Sequence, residues 1–366
     1  KTALTLINVL NWSIDHHEMP KIELRHQNFQ GLNFEYTDLS NSDFSRSNFD
    51  SATKISNVNF TRANLSYSDL SGKDLTGTIL TGVDLTYTNL TGVDLSGKDL
   101  TGTILTGVDL SGIDLTGTIL TGINLSGNDL TGTILTGADL SYTTLTGVDL
   151  SGIDLTGTSL KGVDLSGKDL TGTILTGADL SHAFLDNAIL INANLENATL
   201  ENAKLLDADL DSANLTNANL RNALLADANL SNAILTGADL TNAVLTGAIL
   251  TGANLENAVL TNAILNCVGH PICVPTGKEL SGKDLTNVNL TGVDLSGMNL
   301  TGTILTGADL SHTNLTDVDL THKDLTGTIL TGADLSNTDL SNAILINANL
   351  ENATLENAKL LDADLD

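Results

Sequence analysis

Residues 70–85 read Leu70-Ser71-Gly72-Lys73-Asp74-Leu75-Thr76-Gly77-Thr78-Ile79-Leu80-Thr81-Gly82-Val83-Asp84-Leu85, and leucine returns at every fifth position. The same beat extends in both directions. From Leu65 to Leu265 every position divisible by five is Leu, and the series resumes at Leu280 and runs to Leu365. Around each leucine the order is a small or apolar residue, then Asp or Asn, then Leu, then Ser or Thr, then often Gly. Ala138-Asp139-Leu140-Ser141 is one example. A period of five suits neither an α-helix at 3.6 residues per turn nor a flat strand at 2.0. It requires a conformation that turns the same two positions inward once per unit. A square coil does this: one pentapeptide makes each side and four close a turn. Leu and the residue two before it then face inward. The Asx, hydroxyl and Gly positions lie outside or at corners, and the backbone pairs with the coils above and below. Gly72, Gly77 and Gly82 fall where turns call for positive φ.

Composition agrees with a thin core. Of 366 residues 41% are apolar but only 3% are aromatic, so bulk must come from small, regularly placed side chains. Asp and Glu number 44 against 16 Lys and Arg, a net charge of −28. Such a surface excludes a nucleic-acid strand as partner, because that binding needs basic surface. It is compatible with cation binding, with a basic protein partner or with mimicry of a polyanion. No apolar run approaches the roughly 18 residues of a membrane span.

These residues resemble the pentapeptide-repeat family, whose motif reads Ala-(Asp/Asn)-Leu-x-x, from about Ile22 to Asp366. The resemblance implies an all-β, right-handed quadrilateral β-helix. The expected organisation is a short N-terminal capping segment over residues 1–20, then a β-helix over 21–366 interrupted by a loop at about 266–279.

Departures from the motif carry the remaining expectations. Phe replaces Leu at Phe29, Phe34, Phe44, Phe49 and Phe60, and the six-residue step from Phe49 to Ile55 predicts an inserted residue bulging at a corner. Ala3, Leu6, Ile7, Leu10 and Ile14 share one helical face before Pro20, so a helical plug on the first coil is expected. Lys73, Lys98, Lys168, Lys283 and Lys323 stand at the inward position. Their stems should follow the wall and their ammonium groups emerge at corners toward carboxylates. Repeats continue to Asp366, which predicts either a truncated chain or an uncovered coil meeting a second copy, as a dimer or end to end in a filament. Residues 187–211 recur identically at 342–366, and other blocks repeat at multiples of five that are mostly not multiples of twenty. Duplicated blocks therefore land on different faces, which favours bulk surface over one dedicated pocket.

Candidate chemistry is sparse. Cys267 and Cys273 lie in Cys-Val-Gly-His-Pro-Ile-Cys, where the repeat breaks. A disulfide between them, two unpaired thiols, or a metal site with His270 are the readings, the disulfide leading and pointing to an oxidising compartment. Asp69, Asn89, Asp109, Asp129, Asp149 and Asp169 are each twenty apart and should form one column. Like charges about 5 Å apart repel by roughly 0.8 kcal/mol in water. The column is thus a solvated polar ladder or a calcium site built from Asp109, Asp129, Asp149 and Asp169. Nothing joins a nucleophile, a base and oxyanion donors, so neither an enzyme nor a cofactor is expected.

The expected function is a non-catalytic structural or adhesive scaffold, extracellular or on the cell surface, with a cytoplasmic location as the alternative. The alternative function comes from the resemblance, since some pentapeptide-repeat proteins mimic duplex DNA and protect gyrase. A protein-binding effector is the third reading. The partners expected are copies of the chain itself or a basic protein surface.

Overall fold

The computed structural model describes residues 18–255, 257–265, 280–282 and 285–365. The expected cap over residues 1–20 lies almost wholly outside them, as do the interrupting loop at 266–279 and Lys283. Where the chain is described it has turns joined by single-residue parallel bridges, and no helix occurs among the described residues. Bridges join positions twenty apart, as in Asp84 with Ile104 and Lys204 with Leu224. Four pentapeptides therefore close one coil. There are two compact units, Lys1–Asp164 and Leu165–Asp366, and each is a right-handed quadrilateral β-helix.

One unit, residues 84–88, shows why five residues suffice. Asp84 N–H donates to the preceding coil at the Ala63 carbonyl (2.9 Å), while Leu85 and Tyr87 donate to the following coil at Ile104 (2.9 Å) and Thr106 (2.9 Å). Thr88 N–H closes a turn on the Leu85 carbonyl at 2.9 Å. The remaining donor, Thr86 N–H, is taken by Oδ1 of Asp84 at 2.9 Å. All five backbone donors are satisfied, four by backbone and one by the Asx side chain. The third residue of the turn has positive φ, 53° at Tyr87 and 72° at Gly82, the signature of a type II turn. This is why Gly or Asn dominates that position.

The core is a stack of leucines, Leu65, Leu110 and Leu205 among them, each fully buried. Burying a leucine stabilises the fold by about 1.5–3 kcal/mol, and the stack repeats that gain coil after coil. Behind them sits the second inward residue. From Ala178 to Ala253 it is Ala throughout, whereas the first unit mixes Val, Ile and Thr. Two buried threonines there use their hydroxyls, Oγ1 of Thr78 donating to the Ile55 carbonyl and Oγ1 of Thr118 to that of Leu95, at 3.0 and 2.9 Å, whereas that of Thr103 has no partner among the described residues. Phe29, Phe34, Phe44, Phe49 and Phe60 fill the earliest coils, Phe29, Phe34, Phe44 and Phe60 meeting edge to face and Phe49 tilted against Phe29, with Phe29 and Phe34 rings 5.3 Å apart.

The bulge lies where the six-residue step placed it. Bridge spacing rises to 21 for Asn33 with Lys54 and Asn48 with Asp69, and returns to 20 for Asn59 with Ile79. Asp50 organises the extra residue, its Oδ1 accepting from Gly31 N–H (3.0 Å), Thr53 N–H (3.0 Å) and Thr53 Oγ1 (2.6 Å). Across the later break, Ile264 bridges Asn289, a spacing of 25 in place of 20.

Lys73, Lys98 and Lys323 take backbone carbonyls as partners where carboxylates were expected. Nζ of Lys73 donates to the carbonyls of Asp50 and Thr53, Lys98 to Leu75 at 2.6 Å, and Lys323 to Thr303 at 2.9 Å. These acceptors are backbone groups of the preceding coil. A threonine at this position reaches the same kind of carbonyl, so Lys98 is a longer version of Thr118. Burial lowers the Lys98 pKa, with Asp94 and Asp74 nearby acting in the opposite sense.

Candidate functional site

The surface is a set of columns, each repeating a chemical group once per coil. At the Asx column the carboxylates are committed to their own turns. Oδ1 of Asp109, Asp129, Asp149 and Asp169 accepts the N–H two residues on, from Ser111 (2.9 Å), Thr131 (2.8 Å), Ser151 (2.9 Å) and Thr171 (2.9 Å) respectively. The Ser111 side chain and N–H hold the Asp109 carboxyl below its ordinary range, while neighbouring Asp129 opposes them. Gly112 N–H donates to the Thr131 carbonyl at 2.9 Å, which sets Asp109 and Asp129 in one register on successive coils. Asp149 belongs to the first unit and Asp169 to the second. Among the described residues no three His, Cys, Asp or Glu side chains gather as metal ligands.

Like-charge strain in such columns is relieved where Asn alternates with Asp. Nδ2 of Asn89 donates to Oδ1 of Asp69 at 3.1 Å, and Asn229 to Asp209 at 2.8 Å. The corner column carries amide ladders of its own, Asn262 donating to Asn242 and Asn242 to Asn222 at 3.1 Å each. Ion pairs cross coils as well, Arg221 with Asp239 at 2.9 Å and Lys359 with Asp339 at 3.1 Å.

The corner columns hold an arrangement that the sequence reading missed. All four tyrosines of the chain stand at the positive-φ corner: Tyr36, Tyr67, Tyr87 and Tyr142, with φ between 53° and 61°. A left-handed conformation costs a side-chain-bearing residue about 1–2 kcal/mol. Corner side chains lean over the corner of the following coil. The guanidinium of Arg46 lies 4.7 Å from the Tyr67 ring centroid, and Tyr67 stacks on Tyr87 with centroids 5.1 Å apart. The Tyr87 ring in turn covers Gly107, where a Cβ would come within 2.2 Å of it. Stacking of this kind returns about 0.5–1.5 kcal/mol per aromatic pair and a similar amount for the cation. The signal was present in the spacing: Tyr67 and Tyr87 are twenty apart, and Arg46 is 21 before Tyr67 across the inserted residue.

On the second unit one Asx column has turned apolar. Phe184, Lys204, Leu224, Val244 and Ile264 bridge in succession, and Nζ of Lys204 sits 4.7 Å from the Phe184 ring centroid. With no Asx oxygen at Lys204, Leu206 N–H turns to Oδ1 of Asp186 at 3.0 Å, so the donor is still satisfied. The concavities are open grooves. One of about 400 Å³ is lined by Thr131, Thr133, Asp149, Ser151 and Asp154, and one of about 250 Å³ beside the bulge by Glu35, Lys54, Ser56, Lys73 and Asp74. Cys267, Cys273 and His270 lie outside the described residues.

Comparison with known proteins bears on the whole length. The family model for pentapeptide repeats matches eleven overlapping stretches between residues 28 and 366, leaving 263–278 unmatched. Among solved structures, HetL, a pentapeptide repeat protein involved in heterocyst differentiation regulation from the cyanobacterium Nostoc sp. strain PCC 7120, is 30% identical. It covers 74% of this chain and 97% of its own, with a TM-score of 0.18. A pentapeptide repeat protein from the cyanobacterium Cyanothece 51142 is 29% identical over 41% of this chain and 85% of its own, with a TM-score of 0.19. Full-length QnrB1, a plasmid-mediated fluoroquinolone resistance protein, is 18% identical over 65% of this chain and 92% of its own, with a TM-score of 0.19. No curated protein matches the chain.

Proposed function

The chain belongs to the pentapeptide-repeat family, and on that footing we propose that it is a non-catalytic scaffold whose acidic columns bind a basic protein surface. One observation carries the reading: the polar groups of the repeat are used to build a surface, as where one oxygen of Asp109, Asp129, Asp149 and Asp169 closes its own turn while the side chain stays exposed. Regularly spaced carboxylates on a rigid frame attract a basic partner by their summed field, and that attraction weakens with salt. The alternative, a DNA-mimicking partner of gyrase, rests on the same acidity. An extracellular or cell-surface location goes with the scaffold reading through Cys267 and Cys273. Peptide mapping without reductant tests that part, and two freely alkylated thiols would remove it. No helix among the described residues is long and apolar enough to cross a membrane.

The binding itself is tested with the full chain immobilised and titrated with a core histone, with gyrase and with an acidic albumin over a range of salt. The scaffold reading expects histone capture that declines with ionic strength and no albumin capture. Tight, saturable capture of gyrase with loss of its supercoiling activity would favour the alternative. Equal capture of histone and albumin would defeat both.

A further inference from the structure

We propose that Tyr67 and Tyr87 form a site of oxidative modification, at which a one-electron oxidant joins the two rings into an intrachain dityrosine linking one coil to the next. The four tyrosines occupy equivalent corners, yet they differ in what lies on the next coil. Tyr142 covers Gly162, and the corner after Tyr36 is Asn57. Tyr67 alone is followed by another tyrosine. Its ring and that of Tyr87 are nearly parallel, 27° between planes and 5.1 Å between centroids. Both remain half exposed, at 49% and 55%. The pair is held from both sides, by the Arg46 guanidinium over Tyr67 and by the Gly107 corner beneath Tyr87. Gly107 has no Cβ, which gives that ring its room. Their half exposure leaves solvent beside the stack, and coupling requires the two rings to turn there from face to face toward edge to edge.

The chemistry balances with a peroxide as the oxidant, acting through a haem peroxidase. Each phenol gives up one electron and its hydroxyl proton, leaving two neutral tyrosyl radicals whose spin density extends to the Cε carbons. A Cε–Cε bond forms between the rings. The hydrogen on each joined carbon then moves to oxygen, so both phenols are restored. The two electrons and two protons lost reduce one hydrogen peroxide to two waters. Holding both radicals on one column makes the intrachain coupling effectively unimolecular.

The test uses the full chain, dilute, with a haem peroxidase and hydrogen peroxide, read by dityrosine fluorescence and tryptic mapping. Cleavage after Arg25, Arg46, Arg62, Lys73, Lys98 and Lys161 puts the four tyrosines on four separate peptides. The expected product is a monomeric chain in which 63–73 is joined to 74–98, about tenfold or more in excess of any other tyrosine pair. Tyr67→Phe and Tyr87→Phe keep a ring in the stack and should each abolish it, while a Tyr36→Phe, Tyr142→Phe double variant should retain it. Linkages spread over Tyr36 and Tyr142, dityrosine found only between chains, or undiminished fluorescence in Tyr67→Phe would overturn the proposal. The wild-type peptide map decides the question even if a variant folds poorly.

Discussion

At the scale of the residue, the aspartate before each leucine works as a turn acceptor first and as a charge second. Asp339 is the clearest case. Hydrogen bonds from Ser341, by side chain and by N–H, together with Lys359 lower its pKa from 3.8 to about 2. A depressed folded-state pKa means that this group's contribution is fully present above about pH 4. It is lost as the pH falls through about 2, because the unfolded chain takes up the proton first. Asp109, Asp129, Asp324 and Asp334 are lowered by the same hydrogen bonds. The thermal midpoint should therefore be flat above about pH 4 and fall steeply below it. Asp339→Asn, which keeps the turn acceptor but loses the charge and its pairing with Lys359, should lower the midpoint modestly at neutral pH and lessen the fall in acid. Circular-dichroism melts from pH 2 to 7 check this, and a midpoint indifferent to acid would refute it. Gly107 makes a second residue-scale case. Gly107→Ala meets both φ of +68° and the Tyr87 ring, whereas Gly112→Ala meets only φ of +67° in open space. Gly112→Ala should cost about 1 kcal/mol and Gly107→Ala more. The excess should vanish in a Tyr87→Gly background, as a double-mutant cycle would show.

At the scale of the element, the second inward position of one column reads Thr78, Lys98, Thr118 on successive coils of the first unit. Each donates to a carbonyl 23 residues earlier. The position thus accepts a donor of adjustable length without requiring one, since Ala138 fills it on the next coil, and charge is incidental to it. Lys98→Thr should be neutral or stabilising by about 1 kcal/mol, and Lys98→Ala, which leaves the Leu75 carbonyl with fewer partners, should cost about 1–2 kcal/mol. The pH dependence has the same sense as that of the aspartates, stability rising with pH, but it falls in the alkaline range. A lysine whose folded pKa is lowered by burial is penalised while protonated, so the penalty lifts as pH rises from the folded toward the unfolded value. Lys98→Thr should remove this alkaline gain. Denaturant titrations at neutral and alkaline pH give both numbers, and an unaltered alkaline slope in the variant would contradict the assignment.

At the scale of the whole molecule, each coil touches only its neighbours, so stability is close to a sum of coil terms and nearest-neighbour terms. A cavity in one coil should accordingly act locally. Leu205 is fully buried in the second unit and Leu110 in the first. Leu205→Ala is expected to cost about 2–5 kcal/mol. It should reduce hydrogen-exchange protection across about 185–225 while leaving 90–130 unchanged, and Leu110→Ala should do the reverse. Uniform loss of protection in both stretches would show a single cooperative block instead.

How much could be read beforehand differs from feature to feature. A strict period of five, with Leu65 and Leu110 at one phase and Gly72 and Gly82 at another, determined the square coil, its two inward positions, its positive-φ corners, and the bulge between Phe49 and Ile55. Each of these follows from a residue's relation to neighbours within its own pentapeptide. Spacing by twenty also placed Asp109 beside Asp129 correctly. It did not say that each carboxylate would turn back on its own N–H, since that depends on the turn's dihedrals. Nor did it reveal that Lys98 seeks the Leu75 carbonyl rather than a carboxylate, or that Arg46, Tyr67, Tyr87 and Gly107 form one stack. Those partners lie 20 to 23 residues apart and meet only when successive coils are laid 4.8 Å or so above one another. The side chain then chooses the nearest unsatisfied group in three dimensions, and only the tertiary structure puts that group within reach.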